Sequence, residues 1–170
     1  SIVIVFITTL TQNIVPNTLS IAVLFVAGIS NLFRALRWRI WVTFQVPLVW
    51  SLHLSYLAMS IGFILLALAK MNVIPSVSIG IHSITVGGMG LMILSMISRV
   101  SLGHTGRLIK ANVWVVCSLL ALSLAAVDRV TGPLLNMEYS IVIASSGFLW
   151  SIGFFIFVLA YTKILLTDNM

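Results

Sequence analysis

Three histidines, His53, His82 and His104, are the residues in this chain whose chemistry is most at odds with their surroundings. Each lies within or beside an apolar run. An imidazole inside a bilayer is costly unless it is paired, ligated or wetted, so it marks a functional site by default. The richest stretch reads His82-Ser-Ile-Thr-Val-Gly-Gly-Met-Gly, continues through an apolar run with Met92 and Met96, and closes as Arg99-Val-Ser-Leu-Gly-His104-Thr-Gly-Arg107.

On a helix, Thr85, Met89 and Met96 fall at i+3, i+7 and i+14 from His82 and share its face. Thioethers suit Cu(I) and serve as axial ligands to haem iron, which makes Met89 a candidate ligand beside His82. The plainer account is methionine as a gap-filler in helix packing. Gly87, Gly88 and Gly90 remove bulk from the same helix. They leave room either for a neighbouring helix or for a flat macrocycle.

His53 sits in Trp50-Ser-Leu-His53-Leu-Ser-Tyr56, with Tyr56 at i+3 and Ser60 at i+7 on its face. A metal-ligating histidine usually donates its other ring nitrogen to an oxygen, and these hydroxyls could supply one. A hydrogen-bonded packing histidine fits the same residues. His104 lies between Gly103 and Gly106, a spacing that predicts a tight, non-helical turn. Arg99 and Arg107 flank it, and a guanidinium fork matches a carboxylate such as a haem propionate. An interface loop with topology-setting arginines and a solvated histidine fits equally.

The elements that position these residues follow from composition. The chain is 61% apolar and 7% charged, with mean hydropathy +1.20. Soluble domains carry about 25% charged residues. The fold class is therefore all-α, a polytopic transmembrane helix bundle forming a single integral membrane domain over residues 1–170. Spans are expected at about 18–33, 46–69, 76–98, 112–127 and 139–163. Residues 2–10 are too short to cross and read as the last turns of a truncated helix, so the chain reads as a fragment of a longer one. Thr131-Gly132-Pro133 reads as a turn. On these boundaries His53 and His82 differ in depth by roughly 10–15 Å, too far for one ion to take both.

The net charge of +6 is no nucleic-acid signal here, because the basic residues sit between apolar runs. Arg34, Arg37 and Arg39 share one side with Arg99, Arg107 and Lys110, while the other side holds Lys70 and Arg129. The positive-inside rule puts the richer side, and the C-terminus, in the cytoplasm. Cys117 is the only cysteine, which excludes an internal disulfide and reads as a buried helix residue. No carboxylate falls mid-span, and phosphate-loop, dinucleotide-binding and zinc-protease motifs are absent.

Four strings carry a family resemblance: Leu36-Arg-Trp-Arg39, Pro47-Leu-Val-Trp-Ser-Leu-His53-Leu-Ser-Tyr56, Ile81-His82-Ser-Ile-Thr-Val-Gly-Gly and Ser98-Arg99-Val-Ser-Leu-Gly-His104-Thr-Gly-Arg107. From about Asn31 to its end the chain resembles the C-terminal half of NnrS proteins. These are bacterial polytopic membrane proteins associated with nitric oxide and denitrification and described as containing haem and copper. Gly88-Met-Gly90 stands where alanine or isoleucine is expected, and Leu108 where proline is common. The resemblance implies a bacterial inner-membrane protein of the nitrosative-stress response, with haem and copper as cofactors. It implies His53, His82 and His104 as metal or haem ligands. Whether such a protein is an enzyme does not follow. A transporter or channel module without cofactor, with histidines lining a polar path, is the alternative, and a structural subunit with helix-pairing histidines is a third.

Overall fold

The computed structural model describes residues 16–38 and 40–166, so the expected truncated helix at 2–10 lies outside the described residues. Helix α1 spans Asn17–Leu36, and a 3-10 turn follows at Ile40–Thr43. Helix α2 spans Pro47–Lys70, α3 Val77–His104, α4 Val113–Leu134 and α5 Tyr139–Leu166. All five are long and apolar enough to cross a membrane, and no strand occurs among the described residues. The molecule is an all-α bundle of the multi-pass membrane class.

Local chemistry sets the helix ends. Pro47 opens α2 with its backbone already at a helical φ. The Ser76 hydroxyl accepts from the Ser78 N–H at 3.1 Å to start α3, and the Asn112 amide oxygen accepts from the Val115 N–H at 2.9 Å to start α4. Three helices close alike, on a left-handed residue just past the last turn: Asn72 (φ 58°), Gly106 (φ 65°) and Asn136 (φ 55°). In each case the next N–H reaches back five residues. Val73 donates to the Leu68 carbonyl, Arg107 to Leu102 and Met137 to Gly132, all at 3.0 Å.

These closures correct two expectations. Helix α3 runs past Arg99 to His104, so His104 is the last helical residue rather than the centre of a loop. Helix α4 runs through Asp128 and Arg129 and on to Leu134, so Thr131-Gly132-Pro133 is its final turn. Hydropathy marks where the hydrocarbon stops, whereas the helix stops where its terminal carbonyls find partners. Pro133 is tolerated because it sits in the last turn, where one lost N–H costs little continuity.

The middle of α3, Ser83–Gly90, is a π-helix. Its i→i+5 bonding widens the turn and rotates everything beyond it. Gly87 and Gly88 sit against α2: a Cβ at Gly87 would come within 2.8 Å of the Ala58 Cβ, and one at Gly88 would run into Met59. The space these glycines leave is filled by a helix, not open to a macrocycle.

Neighbouring helices pack antiparallel in chain order, and α3 and α5 also touch. One apolar core joins α2 to α5 around Leu48, Leu94, Leu119 and Leu122, and a second joins α1 to α2 around Leu24, Ala27 and Phe63. Each contact also carries a polar tie. Tyr56 donates to Asn31 Oδ1 at 2.7 Å between α2 and α1. Ser51 and Ser95 hydroxyls meet at 2.7 Å between α2 and α3. Ser118 donates to the Gly153 carbonyl at 2.7 Å between α4 and α5, and Tyr161 to the Ser98 carbonyl at 3.1 Å between α5 and α3. Such bonds contribute about 0.6 kcal/mol each between membrane helices. Cys117 is exposed on α4 rather than buried.

Candidate functional site

The three histidines do not converge. Ser51 and Ser95 meet across α2 and α3, so His53, two residues on, is level with Ile93. Ile93 lies eleven residues beyond His82, about 16 Å of helix rise, so the expected separation in depth holds. His104 lies a further eleven residues along, about 33 Å from His82. His53 and His104 belong to the arginine-rich end of the bundle and His82 to the other. Among the described residues no group of three or more His, Cys, Asp or Glu side chains is placed to hold a metal ion.

At the arginine-rich end, half-buried His53 is set by α2 and by the segment joining α1 to α2. Its Nδ1 lies 3.1 Å from Thr43 Oγ1, in the 3-10 turn. The Trp38 ring covers it at 5.5 Å between centroids and also covers Tyr56 at 4.8 Å. Tyr56 thus shares the His53 face as its i+3 spacing predicts. The hydroxyl at His53, however, is Thr43 and not the serines on its own helix. Ser55 donates to the Leu52 carbonyl and Ser60 to the Tyr56 carbonyl, both at 2.8 Å. Serine on a helix finds a carbonyl three or four residues back more readily than a side chain.

His104 is exposed, and Arg99 and Arg107 are half-buried. The turn that ends α3 is held by Thr105, whose hydroxyl donates to the Ser101 carbonyl at 2.8 Å.

At the opposite end the Nδ1 of half-buried His82 lies 2.7 Å from the Ser78 carbonyl one turn back. A carbonyl only accepts, so Nδ1 carries the proton and Nε2 the lone pair. Arg129 Nη2 donates to that Nε2 at 3.3 Å. The same Nη2 donates to the Tyr139 hydroxyl at 3.4 Å, and the guanidinium carbon stands 5.2 Å over the Tyr139 ring. Sequence reading named neither partner: it placed Thr85 on the His82 face, and Arg129 counted only as a topology charge. Thr85 in fact donates to the Ile81 carbonyl at 2.9 Å. A cation directly after the only acid of its helix was the available signal.

Met89 is 51% exposed. It lies within the π-helix, where seven residues are no longer close to two whole turns, so the i+7 rule does not carry it back to the His82 face.

Residues 1–168 match the family model described as NnrS protein. The chain belongs to the NnrS family. No curated protein and no solved structure matches it. In this NnrS chain the two structured histidine sites are therefore one aromatic and hydroxyl-bound, His53, and one cation-bound, His82. Both have Nδ1 engaged by an oxygen. At His53 that leaves Nε2 as the nitrogen for an outside partner, the arrangement by which ligating histidines are usually oriented, whereas at His82 Arg129 already occupies Nε2.

Proposed function

We propose that this chain is a haem- and copper-associated NnrS protein of the bacterial inner membrane, acting in the response to nitric oxide or in denitrification. Residues 1–170 are read as one integral membrane domain with a cytoplasmic C-terminus. The observation that carries the reading is the pair of histidines with oxygen-bound Nδ1 on α2 and α3, in a chain of this family. Among the described residues, single imidazoles fit haem, which needs one or two axial nitrogens. His53 is the candidate at the arginine-rich end and His82 at the other. Arg99 and Arg107 are the candidate carboxylate partners near His104, while Met89, exposed and off the His82 face, is not carried forward as a ligand. A closed copper site does not fit the described residues, which hold no three-ligand cluster. Haem would supply an iron that binds nitric oxide or passes an electron. The chain's own contribution is to orient an imidazole through its Nδ1, and at His82 a ligand would have to displace Arg129 from Nε2.

The transporter reading needs a polar path. The groove between α2, α3 and α4 is lined by Leu54, Leu57, Ile61, Leu91 and Val127. Its hydroxyls are taken by backbone: Ser83 donates to the Ala58 carbonyl, Ser123 to Leu119 and Thr131 to Val127. This lining favours the cofactor reading.

The test is an optical spectrum with metal analysis of the detergent-purified protein, oxidised and reduced. A Soret band is expected, with H53A, H82A and H104A lowering bound haem while the bundle stays folded, and copper found beside it would need ligands beyond the described residues. A colourless, metal-free protein from cells supplied with both cofactors would overturn the reading. So would full retention of haem in all three variants.

A further inference from the structure

Among the described residues no acid forms an ion pair with Arg129. It lies five residues before the end of α4, half-buried, and its Nη1 is buried with no hydrogen-bond partner among the described residues. Its Nη2 has only two long contacts, at 3.3 Å to His82 Nε2 and 3.4 Å to the Tyr139 hydroxyl. The two acids nearest to Arg129 in sequence bond serines instead. Asp128 accepts from the Ser145 hydroxyl at 2.5 Å, and Glu138 from the Ser140 hydroxyl at 2.6 Å. Burying one donor nitrogen of a guanidinium without a partner is costly, and a complementary anion offsets that cost.

Space for such an anion adjoins the charge. Arg129 lines two cavities of about 300 Å³ each. One lies against α5 and is shared with Ser146, Trp150 and Ser151. The other opens among the ends of α3, α4 and α5 and is shared with Ser76, Ser78 and Tyr139. Either is roomy enough for a small oxyanion, whose volume is a few times the ~30 Å³ of a water molecule.

We infer that Arg129, with Tyr139, forms an oxyanion-binding site of the carboxylate or phosphate class. Binding turns the guanidinium so that its fork takes two oxygens of one group, at the cost of the two long contacts Nη2 now makes. The site stands on Arg129 and holds whether or not His82 ligates a cofactor. Two sources offer the ligand chemistry: a free small anion, and the phosphodiester of a lipid headgroup, since Arg129 lies near the end of an apolar helix.

The experiment uses the whole chain labelled with 5-fluorotryptophan, with the Trp150 resonance assigned by W150F and acetate as the probe. In a neutral maltoside detergent the Trp150 resonance is expected to shift saturably with acetate. R129K, which keeps the charge and loses the fork, should weaken the midpoint by about tenfold. In phosphatidylglycerol nanodiscs, a Trp150 resonance already displaced and insensitive to acetate assigns the fork to lipid phosphate. A resonance that still titrates assigns it to a free anion. A shift that is absent or merely linear in both media overturns the inference, as does an R129K midpoint equal to that of the parent chain.

Discussion

His53 and His82 are both half-buried imidazoles in the first turns of consecutive antiparallel helices, and both have Nδ1 next to an oxygen. The oxygens differ in kind. For His53 it is a side-chain hydroxyl from the segment before α2, brought in by tertiary folding. For His82 it is the carbonyl of its own helix one turn back, present whenever the helix forms. The remaining surroundings diverge as well. Trp38 and Tyr56 give His53 an aromatic wall, whereas Arg129 donates directly to His82 Nε2. An apolar wall leaves the orientation of one imidazole to a single neutral hydrogen bond. A cationic donor ties the other to a charge that itself pairs with no acid among the described residues.

Five substitutions break or sharpen this contrast. The largest effect is expected from G80V, two residues before His82. A Cβ at Gly80 would stand 2.8 Å from the backbone nitrogen of Leu66, which cannot move without moving α2. A loss of about 3 kcal/mol is expected in a detergent unfolding titration. Probes at the His82 end should change before those at the Trp38–His53 end, and a simultaneous change at both would mean the two ends are one cooperative unit.

H82L comes next. It removes the acceptor from Arg129 Nη2, so it should cost about 2 kcal/mol, against about 1 kcal/mol for H53L, which loses a neutral bond. The reverse order would show that the aromatic wall, not the cation, sets the greater dependence. T43V should cost about 1 kcal/mol and release the His53 ring, which would broaden its imidazole resonances. The smallest effect is expected of S78A, below about 0.5 kcal/mol, because the 2.7 Å bond from His82 goes to the Ser78 backbone and survives the change. An S78A variant as damaging as T43V would mean that the hydroxyl, 3.0 Å from Nδ1, is the contact that matters at His82.

The neighbourhood of His82 also shows where local pattern stops being informative. A spacing of seven residues joins His82 to Met89 only on a regular helix, and the π-helix at Ser83–Gly90 removes that regularity. Nothing in Ser-Ile-Thr-Val-Gly-Gly-Met-Gly announces the wider turn except the glycines, which read as well for close packing. The Thr131-Gly132-Pro133 string announces a stop, yet α4 ends at Leu134, where left-handed Asn136 and the Met137 N–H satisfy its last carbonyls.

The sequence by itself determined the fold class, the five apolar helices, the family and the charged asymmetry of the two ends. These depend on composition and on runs of about 20 residues, which the hydrocarbon thickness selects without reference to any partner. It also determined the facing of His53 and Tyr56, since i+3 neighbours share a face on any α-helix. Only the tertiary structure decided that Thr43 holds His53, that Arg129 donates to His82 and that Asp128 turns to Ser145 instead. Those contacts span ten, forty-seven and seventeen residues, and which of several hydroxyls or charges meets an imidazole depends on helix rotation and register. Packing sets both, through small residues such as Gly80 and Gly88 pressed against α2.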